Sequence, residues 1–125
     1  MKIAFCDCFS GISGDMFLAA MIDAGLPITL LKDELGKIEF EETFQIGSRL
    51  VLKGAIRAML LELEIRESYH HRTYADIHKL IGQSALSNQI KEKALAIFKV
   101  LAEAEAKVHG TTVEDVHFHE VGAMD

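Results

Sequence analysis

The sequence predicts an α+β domain on the split βαβ, ferredoxin-like plan: a four-stranded antiparallel sheet with helices on one face. Three observations lead there. A short apolar run stands near each end of the chain. Strict alternation of apolar and charged residues occupies the middle. Helical periodicity fills the stretches between them, so the order reads β-α(α)-β-β-α(α)-β.

The first run, "KIAFCDC" at 2–8, is apolar on both faces, which suits a buried strand. "FSGISGD" breaks it with two glycines and two serines. A helix is expected from about Asp15 to Ala24, stopped by Gly25. Pro27 opens a second, at 28–35, closed by Gly36. From Glu39 to Glu67 the period changes to two. Leu61, Leu63 and Ile65 alternate with Glu62, Glu64 and Arg66, and Lys53-Gly54 supplies the turn of a β-hairpin. Thr73 and Asp76 have capping-box spacing for a helix that ends at Gly82. Ser87 caps a long helix to Val108. Its apolar positions Ile90, Ala94, Ile97, Leu101, Ala104 and Val108 are spaced for one continuous face. His109-Gly110 stops it, Thr112 and Asp115 again have capping-box spacing, and "VHFHEV" reads as the last strand.

In the split βαβ plan the first and last strands are neighbours. Cys6, Asp7 and Cys8 would then lie beside His117 and His119, and the joint at 67–72 would lie at the opposite end of the sheet.

Composition narrows the function. The 125 residues, half of them apolar and only one a proline, make a single folded domain over 1–125. A net charge of −6 argues against nucleic acid and against an anionic membrane surface. No apolar run reaches the roughly 18 residues of a membrane span. The N-terminus lacks the apolar length of a signal peptide, so a cytoplasmic location is expected. Cys6 and Cys8, about 6.6 Å apart along one strand face, suit a disulfide badly and read as thiols. Small thiols in a buried strand are core residues more often than ligands.

Three stretches carry metal- or anion-binding chemistry. In "HFHE", His117 and His119 share a strand face and can chelate one ion, with Glu120 next to them. Equally, they can be solvated imidazoles on an edge strand. In "DCFSGISGD", Ser10, Gly11, Ser13, Gly14 and Asp15 form a strand–loop–helix anion site, where free N–H groups and the helix dipole receive phosphate. The alternative is a tight turn with Ser13 or Asp15 capping the helix. It is neither a GxxxxGK loop nor a GxGxxG fingerprint. Asp7, at the end of the preceding strand, is an oxygen ligand for a divalent cation. In "YHHRTYADIH", His70, His71 and His78 place three imidazoles within nine residues, as an auxiliary metal-capture site or as a solvated joint.

Taken together, "CDCFSGISGDMFLAAMIDAG" and "VHFHEVGAMD" resemble the two signatures of the LarC family, the nickel-insertion proteins of nickel-pincer cofactor synthesis. The hairpin "VLKGAIRAMLLELEI", the "YHHRTYADI" stretch and the helix ending "KVHG" are similar in the same order, so the likeness runs through the chain. The resemblance implies a cytoplasmic lyase-type protein that inserts Ni²⁺ into pyridinium-3,5-bisthiocarboxylic acid mononucleotide. The insertion makes nickel–carbon and nickel–sulfur bonds in a CTP-dependent cyclometallation with Mg²⁺ or Mn²⁺. It implies that CTP binds a C-terminal domain. Members are about three times this long, so the chain is expected to be an N-terminal fragment of a longer polypeptide. On that reading His117 and His119, with Asp7 or Glu120, hold nickel, and the 10–15 loop receives the substrate phosphate. The rival from another class is a non-catalytic metal-binding or assembly module whose long helix docks the rest of the enzyme or an identical chain. Sizing and metal analysis separate the two.

Overall fold

The computed structural model describes residues 3–40, 43–66 and 72–118. Its elements follow in the order α1 (Gly14–Asp23), α2 (Ile28–Leu35), β1 (Thr43–Lys53), β2 (Ile56–Arg66), α3 (Tyr74–Gln83) and α4 (Asn88–His109). The mixture of helix and sheet is as expected. The four-stranded split βαβ sheet is not: among the described residues the sheet has two strands.

Both terminal strands fail for identifiable reasons. A run that is apolar on both faces needs covered faces and a strand at each edge. Among the described residues, 3–8 have neither, and Ile3 and Phe5 stand 80% and 89% exposed. The segment at 116–118 does pair, but with the start of α3. A single antiparallel bridge joins Thr73 and His117, flanked by Tyr74 N–H to the Val116 carbonyl (3.1 Å) and Phe118 N–H to the Arg72 carbonyl (3.4 Å). Val116 and Phe118 thereby enter the interface between α3 and α4, where each is only 2% exposed. That burial outweighs what two more ladder bonds at a distant sheet would provide, because large apolar groups dominate the driving force.

The hairpin forms as the alternation predicts, with its two-residue turn at 54–55 instead of 53–54. Register runs from Thr43 opposite Arg66 to Lys53 opposite Ile56. Gly54 takes φ 61, the left-handed conformation that tight hairpin turns require. One face carries Phe44, Ile46, Leu50 and Leu52 opposite Ile65, Leu63, Met59 and Arg57. The two N-terminal helices lie on this face. Arg57 Nη2 reaches Asp23 Oδ1 in α1 at 3.1 Å, and Phe40, just beyond α2, meets Phe44 edge-on at 5.4 Å. The other face is charged, with Arg49 paired to Glu62.

α3 begins at a complete capping box. The Thr73 hydroxyl accepts from Asp76 N–H (3.2 Å), and the Asp76 carboxylate accepts from Thr73 N–H (2.9 Å). α4 starts at Ser87 and stops where Gly110 adopts φ 65. The two helices meet through Ile77, Ile81, Ala102 and Ala106, with Leu95 and Phe98 against them. The α4 core face is therefore turned by about one residue from the stripe read in the sequence. Ala94 and Leu101 lie on its flank, whereas Ile97 and Val108 are 71% and 79% exposed. The small side chains at 102 and 106 explain the turn, since they let α3 come close. A bond from Ala85 N–H to the Lys37 carbonyl (2.9 Å) links this helical pair to the chain following α2.

Two tests follow from this packing. Phe118→Ala should lower unfolding free energy by about 3–5 kcal/mol in urea titrations. A loss below about 1 kcal/mol would show that the aromatic wedge does not hold the helices. Thr73 donors, its backbone N–H foremost and its hydroxyl second, keep the Asp76 carboxyl below the usual carboxylate range. A depressed carboxyl pKa adds stability above the unfolded value and loses it as pH falls through the folded value. The stability gap between the native chain and Asp76→Asn should therefore be complete at neutral pH and close below about pH 4. A gap independent of pH would remove the charged cap.

Candidate functional site

The turn after α4 carries the chemistry. Thr111 N–H bonds back to the Ala106 carbonyl (3.1 Å), and the Thr112 hydroxyl donates to Asp115 Oδ2 (2.8 Å), so the chain reverses on itself. It then runs antiparallel to residues 72–74. Side chains alternate along an extended segment. With Val116 and Phe118 turned into the core, His117 between them is exposed. His117, His109, Thr111, Asp115 and Val116 line an open depression of about 220 Å³. His109 Nε2 lies 3.2 Å from Glu105 Oε2, one turn earlier on α4.

Two imidazoles and a carboxylate therefore border one hollow. Nitrogen and oxygen donors of this kind suit Ni²⁺ and its neighbours. Among the described residues, no group of three or more His, Cys, Asp or Glu side chains is close enough to hold a metal as it stands. The arrangement is an open set of donors, not a closed cage.

Of the ligands expected from sequence, His70, His71, His119 and Glu120 lie outside the described residues. His78 is exposed on α3, its ring 6.1 Å from that of Tyr74. Asp7 is exposed in the non-regular segment before α1. Cys6 and Cys8 are exposed free thiols there, where the sequence suggested buried ones. The expected neighbour of His117 also changes. Residues 116–118 pair with 72–74, the chain that directly follows His70-His71, and no strand pairing joins them to residues 6–8. In the sequence His109 and Asp115 carry only a helix-stop and a capping signal. No periodicity marks His109 and His117 as neighbours, because a reversal of the chain brings them together.

The loop before α1 is anchored by Gly11 N–H to the Cys8 carbonyl (2.9 Å). Ser10, Gly11, Ser13, Gly14 and Asp15 are all exposed, and the Cα atoms of Gly11 and Gly14 face open space. Ser13 occupies the N-cap without bonding the helix N–H groups; its hydroxyl donates to the Asp15 carboxylate instead. That bond first, and the Met16 backbone N–H second, hold the Asp15 carboxyl below the usual range. A fixed negative charge thus sits at the positive end of α1.

Comparison with known proteins agrees on one family. The model of the nickel insertion protein family matches residues 4–125. The pyridinium-3,5-bisthiocarboxylic acid mononucleotide nickel insertion protein of Desulfitobacterium hafniense is 50% identical over all 125 residues, which cover 31% of that protein. The protein of the same name from Akkermansia muciniphila is 48% identical, again over the whole chain and 33% of its own length. A putative nickel insertion protein of Wolinella succinogenes is 46% identical and is covered over 32%. The chain spans about one third of the length of these relatives. No solved structure matches it. Among the described residues, no helix is long and apolar enough to cross a membrane. With the family model matching nearly every residue and half of the positions shared with a relative, the chain belongs to the nickel insertion protein family.

Proposed function

We propose that this chain is the metal-handling N-terminal part of a longer nickel insertion protein. It holds Ni²⁺ and presents it to a pyridinium-3,5-bisthiocarboxylic acid mononucleotide, the substrate in the names of the relatives from D. hafniense and A. muciniphila. The observation that carries this reading is the pairing of 116–118 with 72–74. It sets the His117 imidazole beside the chain that leads from His70 and His71. In the sequence His71 stands two residues before Thr73, and His119 two after His117.

In this proposal His117 and His119 are the principal nickel ligands. Asp7 and Glu120 are the candidate carboxylates, and His70, His71 and His78 capture metal nearby. His109 and Asp115 border the same hollow and add a nitrogen and an oxygen donor. Nickel is cargo here, so an open, incomplete donor set suits the task. Softer sulfur donors on the substrate then compete successfully with imidazole and carboxylate. The substrate phosphate is received at the 10–15 loop. Asp15 repels a bare phosphate there, so the anion binds together with a divalent cation.

Titration calorimetry with Ni²⁺ tests the metal half. His117→Ala should weaken binding by at least about tenfold, the loss that even an outer-shell partner can cause. Unchanged affinity and stoichiometry would take His117 out of the assignment. Melting curves test the other half. Nicotinate mononucleotide should raise the melting temperature, and Mg²⁺ should enlarge the rise. A melting temperature indifferent to both would exclude residues 10–15 as the phosphate seat.

A further inference from the structure

We propose that the outer face of α4 is a docking seam for a helix supplied by the two thirds of the nickel insertion polypeptide that this chain does not span. The inference is independent of where nickel binds. It starts from a disagreement between sequence and structure. Ile90, Ala94, Ile97, Leu101, Ala104 and Val108 follow one another at intervals of four and three, the spacing of a coiled-coil seam sustained through the helix. The fold uses only one edge of that seam, Ala94 and Leu101, which flank the core. α4 packs on α3 mainly through Leu95, Phe98, Ala102 and Ala106, on the adjoining face. Ile90, Ile97 and Val108 remain 41%, 71% and 79% exposed, with Val100 beside them at 68%. From Ile90 to Val108 the stripe runs about 27 Å along α4.

Charge argues against a second copy as the occupant. Lys93 and Lys107 flank the exposed edge, one near each end and both exposed. An antiparallel copy would set Lys93 against Lys107 of the other chain, which is repulsive. A parallel copy would have to pair these lysines with the opposite flank, at Lys91, Phe98 and Glu105. That flank is half-buried against the chain's own core, and only one of the three is acidic. The complementary partner is an amphipathic helix with its own apolar seam and an acidic flank. The relatives say where such a helix can come from. Each of those compared matches this whole chain within a polypeptide about three times as long. A helix from the same polypeptide is present at high effective concentration, so it occupies the seam ahead of any outside competitor.

Site-specific thiol labelling reads the prediction directly. In a Cys6→Ser, Cys8→Ser background, single cysteines are placed on the seam (Ile97→Cys, Val108→Cys) and on the far side of α4 (Glu92→Cys). Maleimide labelling rates are then compared between the 125-residue chain and the same chain joined to the unmatched two thirds of the D. hafniense relative. The rates at 97 and 108 should fall by at least about tenfold in the long protein, because a docked position labels only through opening. The rate at 92 should not change. Lys93→Glu with Lys107→Glu leaves the apolar seam and the core face intact. At low salt it should restore much of the rate at 97 in the long protein. Equal rates in the short and long proteins would overturn the proposal, as would equal slowing at position 92. So would a dimeric 125-residue chain in light scattering whose seam cysteines are already protected, since the occupant would then be a second copy.

Discussion

Val116 and Phe118 hold the C-terminal half of the molecule together. Each is almost completely removed from water, and the Phe118 ring lies 6.0 Å from that of Phe98. They fill the space between α3 and α4, and they do so from an extended segment whose backbone is bonded to the residues that cap α3. Three features thus share one constraint: the approach of the two helices, the direction of the chain after Gly110, and the exposure of His117. Because alternate side chains face opposite ways, burial of 116 and 118 is what turns 117 outward.

The helices were legible in the sequence because their ends are chemically marked. Thr73 with Asp76, Ser87, Pro27 and Gly110 each satisfy or remove terminal backbone groups, a local matter that neighbouring residues alone determine. The hairpin was legible for a similar reason, since alternation and a glycine at the turn need no distant partner. The sheet was not. Whether an apolar run becomes a strand depends on a partner that local pattern does not name. For Val116 and Phe118 that partner is a helix pair, and "KIAFCDC" has none among the described residues. Two apolar faces share α4, and the better-spaced one is not the one the fold buries.

The candidate site shows the same division. His117 was identified from its spacing, and its orientation follows from that spacing once its neighbours are buried. Its companions were not foreseen, because His109 and Asp115 reach it through the reversal at 110–115. Around the 10–15 loop the sequence offered two readings, anion site and self-capped helix. Ser13 does stand at the N-cap, but its hydroxyl bonds the Asp15 carboxylate and not the helix N–H groups, on a surface still open to solvent. An acidic chain with exposed imidazoles, exposed carboxylates and two exposed thiols has cation-binding chemistry on its surface, in keeping with a family named for nickel insertion.

The way His117 is mounted has an entropic consequence. Its peptide links on both sides are already immobilised, since Val116 and Phe118 are anchored and Thr73 faces it across the bridge. Only the two side-chain torsions remain to be frozen when the imidazole takes a ligand. A histidine on an unanchored loop would surrender main-chain freedom as well, roughly 1–2 kcal/mol for each residue ordered. The tip is thus free to find its ligand, while the base that carries it has lost its freedom in advance, during folding.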